Sequence, residues 1–353
     1  MTQSKISFNA RLSNFRHHFE KMGVEGFIIE NPVDIAYFTG LSLSRGRLLI
    51  GPQKALLFVD GRYSESAKTH SPIPVKPLEN QALIDALKDQ QEVKQWGFDT
   101  GLSVAMALKL QELFGKIPLK GVDQPTDCVR LIKDERELEL IEKSAELLWR
   151  GFLYLRGRLR EGVQEKELAR EFEFYVKTEG AEALSFTPIV AFGDHSALPH
   201  HRSGSRTLKR GDLVLLDLGV VLEGYASDMT RVIFFGDVAE RLQEIYKCVR
   251  RAHQAALDLC APGALISSLD LAARKEMGDD EKYFVHSLGH GIGLEVHEAP
   301  RISKERDKET LKEGMVITIE PGLYLPGLGG VRYEDMVVIT KSGYRNLFKQ
   351  TDP

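Results

Sequence analysis

The chain has 353 residues, with 47 basic against 51 acidic side chains and a formal net charge of −4. A composition of 42% hydrophobic and 28% charged residues excludes a disordered or fibrous protein, and the small negative charge offers no general attraction for nucleic acid or an anionic membrane. At about 150 residues per domain, the length predicts two domains, each able to bury a core of its own.

The cysteines and the apolar segments indicate where such a protein works. Cys128, Cys248 and Cys260 are odd in number and far apart, which argues against a disulfide framework or a zinc knuckle. The segment MTQSKISFNARL lacks the apolar region of a signal peptide, and no run of about 18 apolar residues is present. We therefore expect a soluble protein of a reducing compartment, the cytoplasm.

The first 125 residues alternate between helical and strand patterns. Helical spacing of apolar residues predicts helices, whereas short apolar runs bounded by Gly, Pro or Asp-Gly predict strands. The predicted helices cover 7–22, 78–91 and 103–115, and the predicted strands are EGFIIE (25–30, before Asn31-Pro32), RLLIG (47–51), KALLFVDG (54–61) and VKQWGFD (93–99). Elements of this length predict a small α/β domain.

A break at VDQPTD (122–127) precedes a different pattern, and we place the domain boundary there, giving domains 1–127 and 128–353. A long acidic-fronted helix is predicted from Ile132 to Leu159, and a second helix ends at Gly180. Two more helices, at 238–261 and 266–277, lie among strand-rich blocks at 186–192, 212–235, 283–298, 314–325 and 330–340. The second domain is therefore expected to be α+β with antiparallel strands.

Two aspartates lie in the apolar segment 213–235. Asp217 is embedded in LVLLDLG, and Asp228 follows a turn at Glu223-Gly224. A buried carboxylate is costly unless it is paired or bound to metal, and a hairpin would bring both side chains together, as hard divalent cations require. The open alternative is an exposed aspartate at each strand end.

Seven of the ten histidines follow position 190, and three of these lie in HSLGHGIGLEVHE: His286, His290 and His297. The intervening glycines disfavour a helix, which excludes a His-Glu-x-x-His zinc helix, and the segment lacks the end of a phosphate-binding loop. Neutral imidazole is a common ligand of transition metals, so a site is favoured over three structural histidines.

Two glutamates occupy otherwise apolar strands near the C-terminus, Glu320 before Pro-Gly and Glu334 after Val331-Arg332-Tyr333. Asp335 would face the opposite side of an extended strand, so only one of the neighbouring acids can enter a site; a salt bridge to Arg332 is the structural alternative. Two aspartates, one histidine and two glutamates form an oxygen-rich ligand set. Four carboxylates exceed the charge of one divalent cation, so two metals fit better.

The order Asp217, Asp228, His290, Glu320, Glu334 resembles the five ligands of the pita-bread metallopeptidases, and 286–298 is similar to the signature of their proline-peptidase branch. NPVDIAYFTG (31–40) and FVDGRYSESA (58–67) resemble the creatinase-like N-terminal domain. The resemblance implies a pita-bread catalytic domain preceded by a smaller α/β creatinase-like domain. It also implies that Asp217 and Asp228 bind one metal, that His290 and Glu320 complete the other, and that Asp228 and Glu334 bridge both.

Other roles are likewise implied by the resemblance. His200, His286 and His297 would hold substrate and stabilise the tetrahedral intermediate, Glu320 would transfer a proton, and Arg332 would orient carboxylates. The chain departs from the family pattern at His201 and the basic stretch 202–210, which we interpret as an exposed loop residue and a solvated turn.

The implied activity is hydrolysis of the Xaa-Pro bond at peptide N-termini, by an Xaa-Pro aminopeptidase or an Xaa-Pro dipeptidase. Two divalent ions are expected, Mn²⁺ first, with Co²⁺, Zn²⁺ or Fe²⁺ as alternatives. The expected partners are proline-containing peptides or dipeptides and a second copy in a homodimer, with neither nucleic acid nor membrane. The competing interpretations are a creatinase-like or methionine-aminopeptidase-like hydrolase and a non-catalytic binding module on the same fold. The absence of a G-x-S-x-G segment disfavours a serine hydrolase.

Overall fold

The structure is a computed structural model that describes residues 7–348. It divides into two compact units, one ending at Arg130 and the other beginning at Leu131. The outer limits of the predicted domains, and the first six residues of the segment expected to lack a signal sequence, lie outside the described residues. Within 7–348, no helix combines the length and apolarity that a membrane crossing requires.

The first unit alternates helices and strands. Its helices are α1 Phe8–His17, α2 Phe19–Met22, α3 Pro32–Thr39, α4 Ser64–His70, α5 Asn80–Lys88, α6 Val104–Phe114 and α7 Asp127–Arg130. Its strands are β1 Gly26–Ile29, β2 Gly46–Ile50, β3 Ala55–Val59, β4 Val75–Pro77, β5 Trp96–Asp99 and β6 Leu119–Val122. They form one mixed sheet in the order β4-β3-β2-β1-β5-β6.

The predicted helices and strands of this unit are confirmed, with one helix broken, but helices α3, α4 and α7 and strands β4 and β6 were not predicted. The predicted helix 7–22 is interrupted at His18, which separates α1 from α2. Helix α3 begins at the Asn31-Pro32 pair, where the sequence predicts only the end of a strand. Asn31 accepts a hydrogen bond from the Val33 amide and Pro32 occupies the first turn, so Asn31-Pro32 begins a helix.

In its described part, residues 131–348, the second unit contains four long helices and thirteen strands. The helices are α8 Glu135–Arg156, α9 Glu165–Thr178, α10 Glu240–Leu257 and α11 Ile266–Met277, with short 3₁₀ turns at Gly193–Ala197 and Gly278–Tyr283. The strands are β7 Ala183–Leu184, β8 Ile189–Phe192, β9 Asp212–Leu218, β10 Val220–Leu222, β11 Tyr225–Ala226, β12 Met229–Phe235, β13 Gly289–Gly291, β14 Glu298–Ile302, β15 Val316–Ile319, β16 Gly322–Leu325, β17 Gly329–Arg332, β18 Asp335–Thr340 and β19 Gly343–Asn346.

These strands pair antiparallel throughout, as expected for the α+β domain. They form sheets β11-β10-β7, β12-β9-β8, β14-β13-β15-β18-β19 and β16-β17. The predicted hairpin between Asp217 and Asp228 is present in modified form. β9 and β12 pair with Thr230 opposite Asp217, but β10 and β11 between them join a different sheet.

Both faces of the central strands are covered by helices, which explains why their sequences are continuously apolar. Val214 and Leu216 of β9 pack in a core with residues of α8 and α9. Leu213 and Leu215, on the other face, pack with residues of α10 and α11. Because side chains alternate along a strand, Asp217 falls on the face of Leu213 and Leu215, at the end of an otherwise apolar row.

Candidate metal centre

Four of the five predicted ligands lie at or next to the ends of strands, and the fifth, His290, lies within a short strand. Asp217 is near the end of β9, Asp228 directly precedes β12, and His290 is in the middle of β13. Glu320 follows β15, and Glu334 lies between β17 and β18, so the glutamates flank strands that were predicted to contain them. Strand ends let the side chains converge while the apolar residues before them remain in the core.

The donor atoms of these residues are close to one another. His290 Nε2 is 3.4 Å from Glu320 Oε1 and 3.8 Å from Asp228 Oδ2. One donor atom each from Asp228, His290 and Glu334 lies within 4.8 Å of the others. Asp217 is paired in register with Thr230, which itself contacts Glu334, and this places the fourth carboxylate beside the others. The structure thus brings all five predicted positions together.

The backbone fixes the orientation and protonation of His290. Its Nδ1 lies 3.0 Å from the Gly291 carbonyl oxygen, so Nδ1 carries the proton and Nε2 presents a lone pair. Burial, with a smaller contribution from His297, lowers the pKa of His290 to about 4. A neutral imidazole with a free Nε2 is the form that binds a metal.

The carboxylates are crowded in a way that demands positive charge. Burial and then the neighbouring Glu334 raise the pKa of Asp228 well above its usual value. The same two causes raise the pKa of Glu320 well above its usual value. Burial and Asp217 raise the pKa of Glu334 to about 8. Among the described residues, Asp217 Oδ1, Asp228 Oδ1 and Glu334 Oε1 are buried without a hydrogen-bond partner. Three orphaned carboxylate oxygens beside an imidazole lone pair fit divalent cations.

A buried hydrogen-bond network orients the carboxylates from behind. Arg332 donates from Nη2 to Asp217 and from Nε to Thr230 Oγ1 at 3.0 Å. Thr230 Oγ1 in turn donates to Glu334 Oε2 at 2.8 Å. The alternative of a strand-end salt bridge between Arg332 and Glu334 is therefore wrong, because the guanidinium pairs with Asp217 instead. Arg332 also donates from Nη1 to the Tyr324 hydroxyl at 2.6 Å.

Tyr324 connects this network to His286. His286 Nδ1 faces the Ser287 carbonyl at 2.8 Å and carries the proton, so Nε2 accepts from the Tyr324 hydroxyl at 2.9 Å. Burial, followed by the charge of Arg332, lowers the pKa of His286 to about 3. His286 is therefore neutral at physiological pH.

The other two outer histidines lie on the open side of the centre. The ring of His297 meets the ring of His290 edge to face, with centroids 4.4 Å apart. Burial and then the nearby His200 lower the pKa of His297, and His200 also contributes to the lowered pKa of His286. His200 is thus close to both, although its own side chain is exposed.

Asp335 and His201 each lie next to a predicted site residue, Glu334 and His200. Asp335 points away from the centre as expected and pairs with Arg231 at 2.6 Å. The interpretation of His201 as an exposed loop residue is wrong, because its side chain is 8% exposed and its Nε2 lies 2.9 Å from Glu165. A glutamate 36 residues earlier in the chain gave no sequence signal for this contact.

Sequence reasoning missed Thr230, Tyr324 and Glu165. Thr230 was detectable in principle, because it lies two positions after Asp228 and therefore on the same strand face. Tyr324 and Glu165 were not, since their partners are known only once separate elements have packed together.

Comparisons with known proteins agree with this architecture. Residues 139–341 match the family model Metallopeptidase family M24, and residues 11–132 match the Creatinase/Prolidase N-terminal domain. A curated relative, Xaa-Pro dipeptidase of Pyrococcus furiosus, is 39% identical over 96% of this chain and 97% of its own.

Solved structures give the same picture. The Xaa-Pro dipeptidase from Bacillus anthracis has a TM-score of 0.93 at 30% identity and covers 98% of this chain and 99% of its own. The X-Pro aminopeptidase from Thermotoga maritima MSB8 has a TM-score of 0.87 at 33% identity, over 95% of this chain and 98% of its own. The pita-bread fold class expected from the resemblance is confirmed, and this chain belongs to metallopeptidase family M24, with a creatinase/prolidase N-terminal domain.

Proposed function

We propose that this metallopeptidase uses two divalent cations to hydrolyse the bond between an N-terminal residue and a following proline. The observation that carries the proposal is the set of buried, unpartnered carboxylate oxygens on Asp217, Asp228 and Glu334, close to the Nε2 of His290. A binding module would have no need to bury these groups at such cost. The alternative of a non-catalytic module on the same fold is therefore not favoured.

Asp217 and Asp228 would hold one cation, His290 and Glu320 the other, and Asp228 and Glu334 would bridge them. When bound, such a pair supplies a water of lowered pKa and a Lewis acid for the scissile carbonyl. We propose Mn²⁺ as the native ion because the donor set is rich in carboxylate oxygen, which suits hard cations. Co²⁺, Zn²⁺ and Fe²⁺ are the ions to compare with it.

The surrounding side chains have distinct proposed tasks. Arg332 and Thr230 hold Asp217 and Glu334 in fixed orientations through the hydrogen bonds described above. His200 and His297, on the open side, would contact the substrate and the developing oxyanion. Glu320, whose pKa burial raises well above its usual value, would carry a proton to the departing nitrogen.

Proline explains the specificity that we propose. Its nitrogen forms a tertiary amide with no N–H, and its ring fixes the local backbone, so a site shaped to the ring can select it. Similarity to a curated Xaa-Pro dipeptidase over nearly the whole chain favours dipeptides, and similarity to an X-Pro aminopeptidase makes longer peptides the competing substrate class. A creatinase-like or methionine-aminopeptidase-like activity has less support.

The experiment is a substrate panel under controlled metal. Chelation should abolish hydrolysis of an Xaa-Pro dipeptide, and Mn²⁺ or Co²⁺ should restore it. The panel adds Xaa-Pro-Yaa, Met-Ala and creatine, and a higher rate on Xaa-Pro than on Xaa-Pro-Yaa supports the dipeptidase. Full activity of metal-free protein would overturn the metal mechanism, and a preference for Met-Ala or creatine would overturn the substrate assignment.

A variant pair locates the metal. His290→Ala should lose at least one ion per chain by elemental analysis, because it removes the only nitrogen donor among the five predicted ligands. His70→Ala, at an exposed position on α4, is the matched control and should keep both ions.

We also propose a cytoplasmic homodimer. The free thiols of Cys128, Cys248 and Cys260 suit a reducing compartment. The dimer is supported by the family resemblance, and light scattering of the purified protein tests it: a mass near 39.6 kDa, that of one chain, would contradict it.

A further inference from the structure

Glu165, outside the metal centre, is bound in an unusual way. It is the first residue of α9 and is fully buried. Its Oε1 accepts from the Phe192 amide at 3.0 Å and from His195 Nδ1 at 2.9 Å. Its Oε2 accepts from His201 Nε2 at 2.9 Å and from the Gly204 amide at 3.0 Å. One carboxylate thus receives four hydrogen bonds from both ends of the segment 192–204.

The segment held in this way carries His200. Phe192 and His195 precede His200 in the chain, and His201 and Gly204 follow it. The segment is therefore held by Glu165 both before and after His200. His200 itself is exposed, and it is near enough to His286 and His297 to contribute, after burial, to the lowered pKa of each. An exposed histidine on a loop loses conformational freedom when it takes part in a reaction, unless the loop is fixed beforehand.

The start of the same segment is also bound to the strand that leads to the metal ligands. Ser196 Oγ accepts from the Gly330 amide of β17 at 2.8 Å. A side chain at position 330 would approach the Ser196 carbonyl oxygen to 2.3 Å, so the contact is tight. Two separate attachments, Glu165 and β17, therefore fix the base of the loop.

The same cluster could hold a metal ion by composition, since Glu165, His195 and His201 offer three donors within 4.8 Å. The distances favour hydrogen bonding instead. Both histidine nitrogens are 2.9 Å from a carboxylate oxygen, the length of a hydrogen bond, and each oxygen also accepts an amide. In the metal centre the corresponding distances from His290 are 3.4 and 3.8 Å.

Glu165 is ionised in this setting. Burial alone would raise its pKa, but the hydrogen bonds from Gly204, His201, Phe192 and His195 together outweigh burial and hold the pKa of Glu165 below its ordinary value. A charged acceptor strengthens each of the four bonds.

We infer that Glu165 is a positioning residue for the peptidase reaction, which fixes the segment 192–204 so that His200 stands over the metal centre. The inference rests on the proposed function for the part played by His200.

The test compares Glu165→Gln with Glu167→Gln, a partly exposed position on the same helix whose carboxylate pairs with Arg160 at 2.6 Å. With both metals present, E165Q should lower kcat/KM on an Xaa-Pro dipeptide by about 10-fold or more, and E167Q should leave it unchanged. In a His200→Ala background, E165Q should cause no further loss, because both changes disable the same group. If E165Q lowered kcat/KM as strongly in the His200→Ala background as in wild type, the inference would be overturned.

Two readouts do not depend on activity. Hydrogen exchange across 192–204 should rise in E165Q and stay unchanged in E167Q; unchanged exchange in E165Q would overturn the inference whatever the substrate proves to be. Metal analysis should give equal stoichiometry in E165Q and wild type, and the loss of an ion would identify a metal site instead. If E165Q does not fold, His201→Phe removes one donor and is carried through the same cycle. An inactive but fully metallated wild type would contradict the proposed function alone.

Discussion

Thr230 is a small residue on which two charged groups depend. It is fully buried, and its hydroxyl donates to Glu334 and accepts from Arg332. The hydroxyl therefore helps to orient two carboxylates, Glu334 directly and Asp217 through Arg332. Valine has nearly the same shape but offers no hydrogen bond, and it would leave both partners unsatisfied in the interior.

Thr230→Val should therefore weaken Mn²⁺ binding by about 10-fold, the usual effect of losing a group that orients a metal ligand. Thr230→Ser retains the hydroxyl and should bind Mn²⁺ nearly as the wild type does. Calorimetric titration of metal-free protein measures both affinities. Equal Mn²⁺ affinity in T230V and wild type would show that the hydroxyl does not orient Glu334.

His286 gives a prediction for pH. Its pKa in the folded protein is about 3, because of burial and Arg332, against 6.5 for an unperturbed histidine. Between these values the unfolded chain binds a proton that the folded chain does not. The contribution of neutral His286 to the free energy of unfolding is thus fully present above pH 6.5 and is lost as the pH falls towards 3.

From pH 7.5 to pH 5 this residue should cost the wild type about 2 kcal/mol of unfolding free energy. His286→Gln can keep both hydrogen bonds and does not titrate, so it should lose less over the same interval. Urea unfolding of the metal-free proteins at the two pH values gives the comparison. Parallel losses would mean that His286 is not held neutral.

The candidate ligands could be predicted from the sequence because each one breaks a local pattern. Asp217 interrupts LVLLDLG, and His290 lies among glycines. Tyr324 breaks no pattern, because it extends an apolar strand, and the only sequence signal of Thr230, a common strand residue, is its spacing from Asp228. Their importance comes from partners contributed by other strands, which only the packed structure brings near.

At the level of elements, the N-terminus of α8 is fixed by its own side chains. Asp134 accepts from the Glu137 amide at 2.8 Å, and the Glu137 carboxylate accepts from the Asp134 amide at 3.0 Å. This capping box satisfies two amides that the helix cannot, and acidic groups suit the positive end of the helix dipole.

Asp134→Ala should lower the free energy of unfolding by about 1 kcal/mol, whereas Asp134→Asn, which can still cap, should lower it by less. Denaturant unfolding of the metal-loaded proteins measures both changes. The kcat of both variants should equal that of wild type, because the cap lies outside the metal centre. Equal stability of D134A and wild type would contradict a stabilising cap.

Long helices were predictable because they carry both periodicity and end signals over many residues. The predicted helices 238–261 and 266–277 correspond to α10 and α11. The block 283–298 was less predictable. It was expected to be dominated by strands, but β13 contains three residues, and a bulge follows His290. Glycines allow such irregular backbone, and their positions do not reveal which form it takes.

At the scale of the molecule, the α+β class of the second unit could be predicted from the sequence, but the order of its strands could not. β9 pairs with β12 across β10 and β11, which belong to another sheet, and β13 pairs with β15 across a connection that contains β14. Pairing over such distances depends on the complete core, and one strand's sequence does not specify its neighbour. The candidate metal centre depends on these two sheets, which place four residues at or next to strand ends beside His290 of β13.

That arrangement makes the cations part of the fold of the second unit. The candidate ligands between positions 217 and 334 come from both sheets, and burial, followed by the neighbouring carboxylates, raises the pKa values of Asp228, Glu320 and Glu334. An ion that binds only the folded chain stabilises it by about 2.7 kcal/mol at 100 times its dissociation constant. Chelation should therefore lower the midpoint of thermal unfolding, and Mn²⁺ should restore it in proportion to its concentration. His290→Ala should respond less to Mn²⁺ than wild type and His70→Ala equally, in calorimetric scans at fixed pH. Identical midpoints with and without chelator would show that the ligands are held by the protein alone.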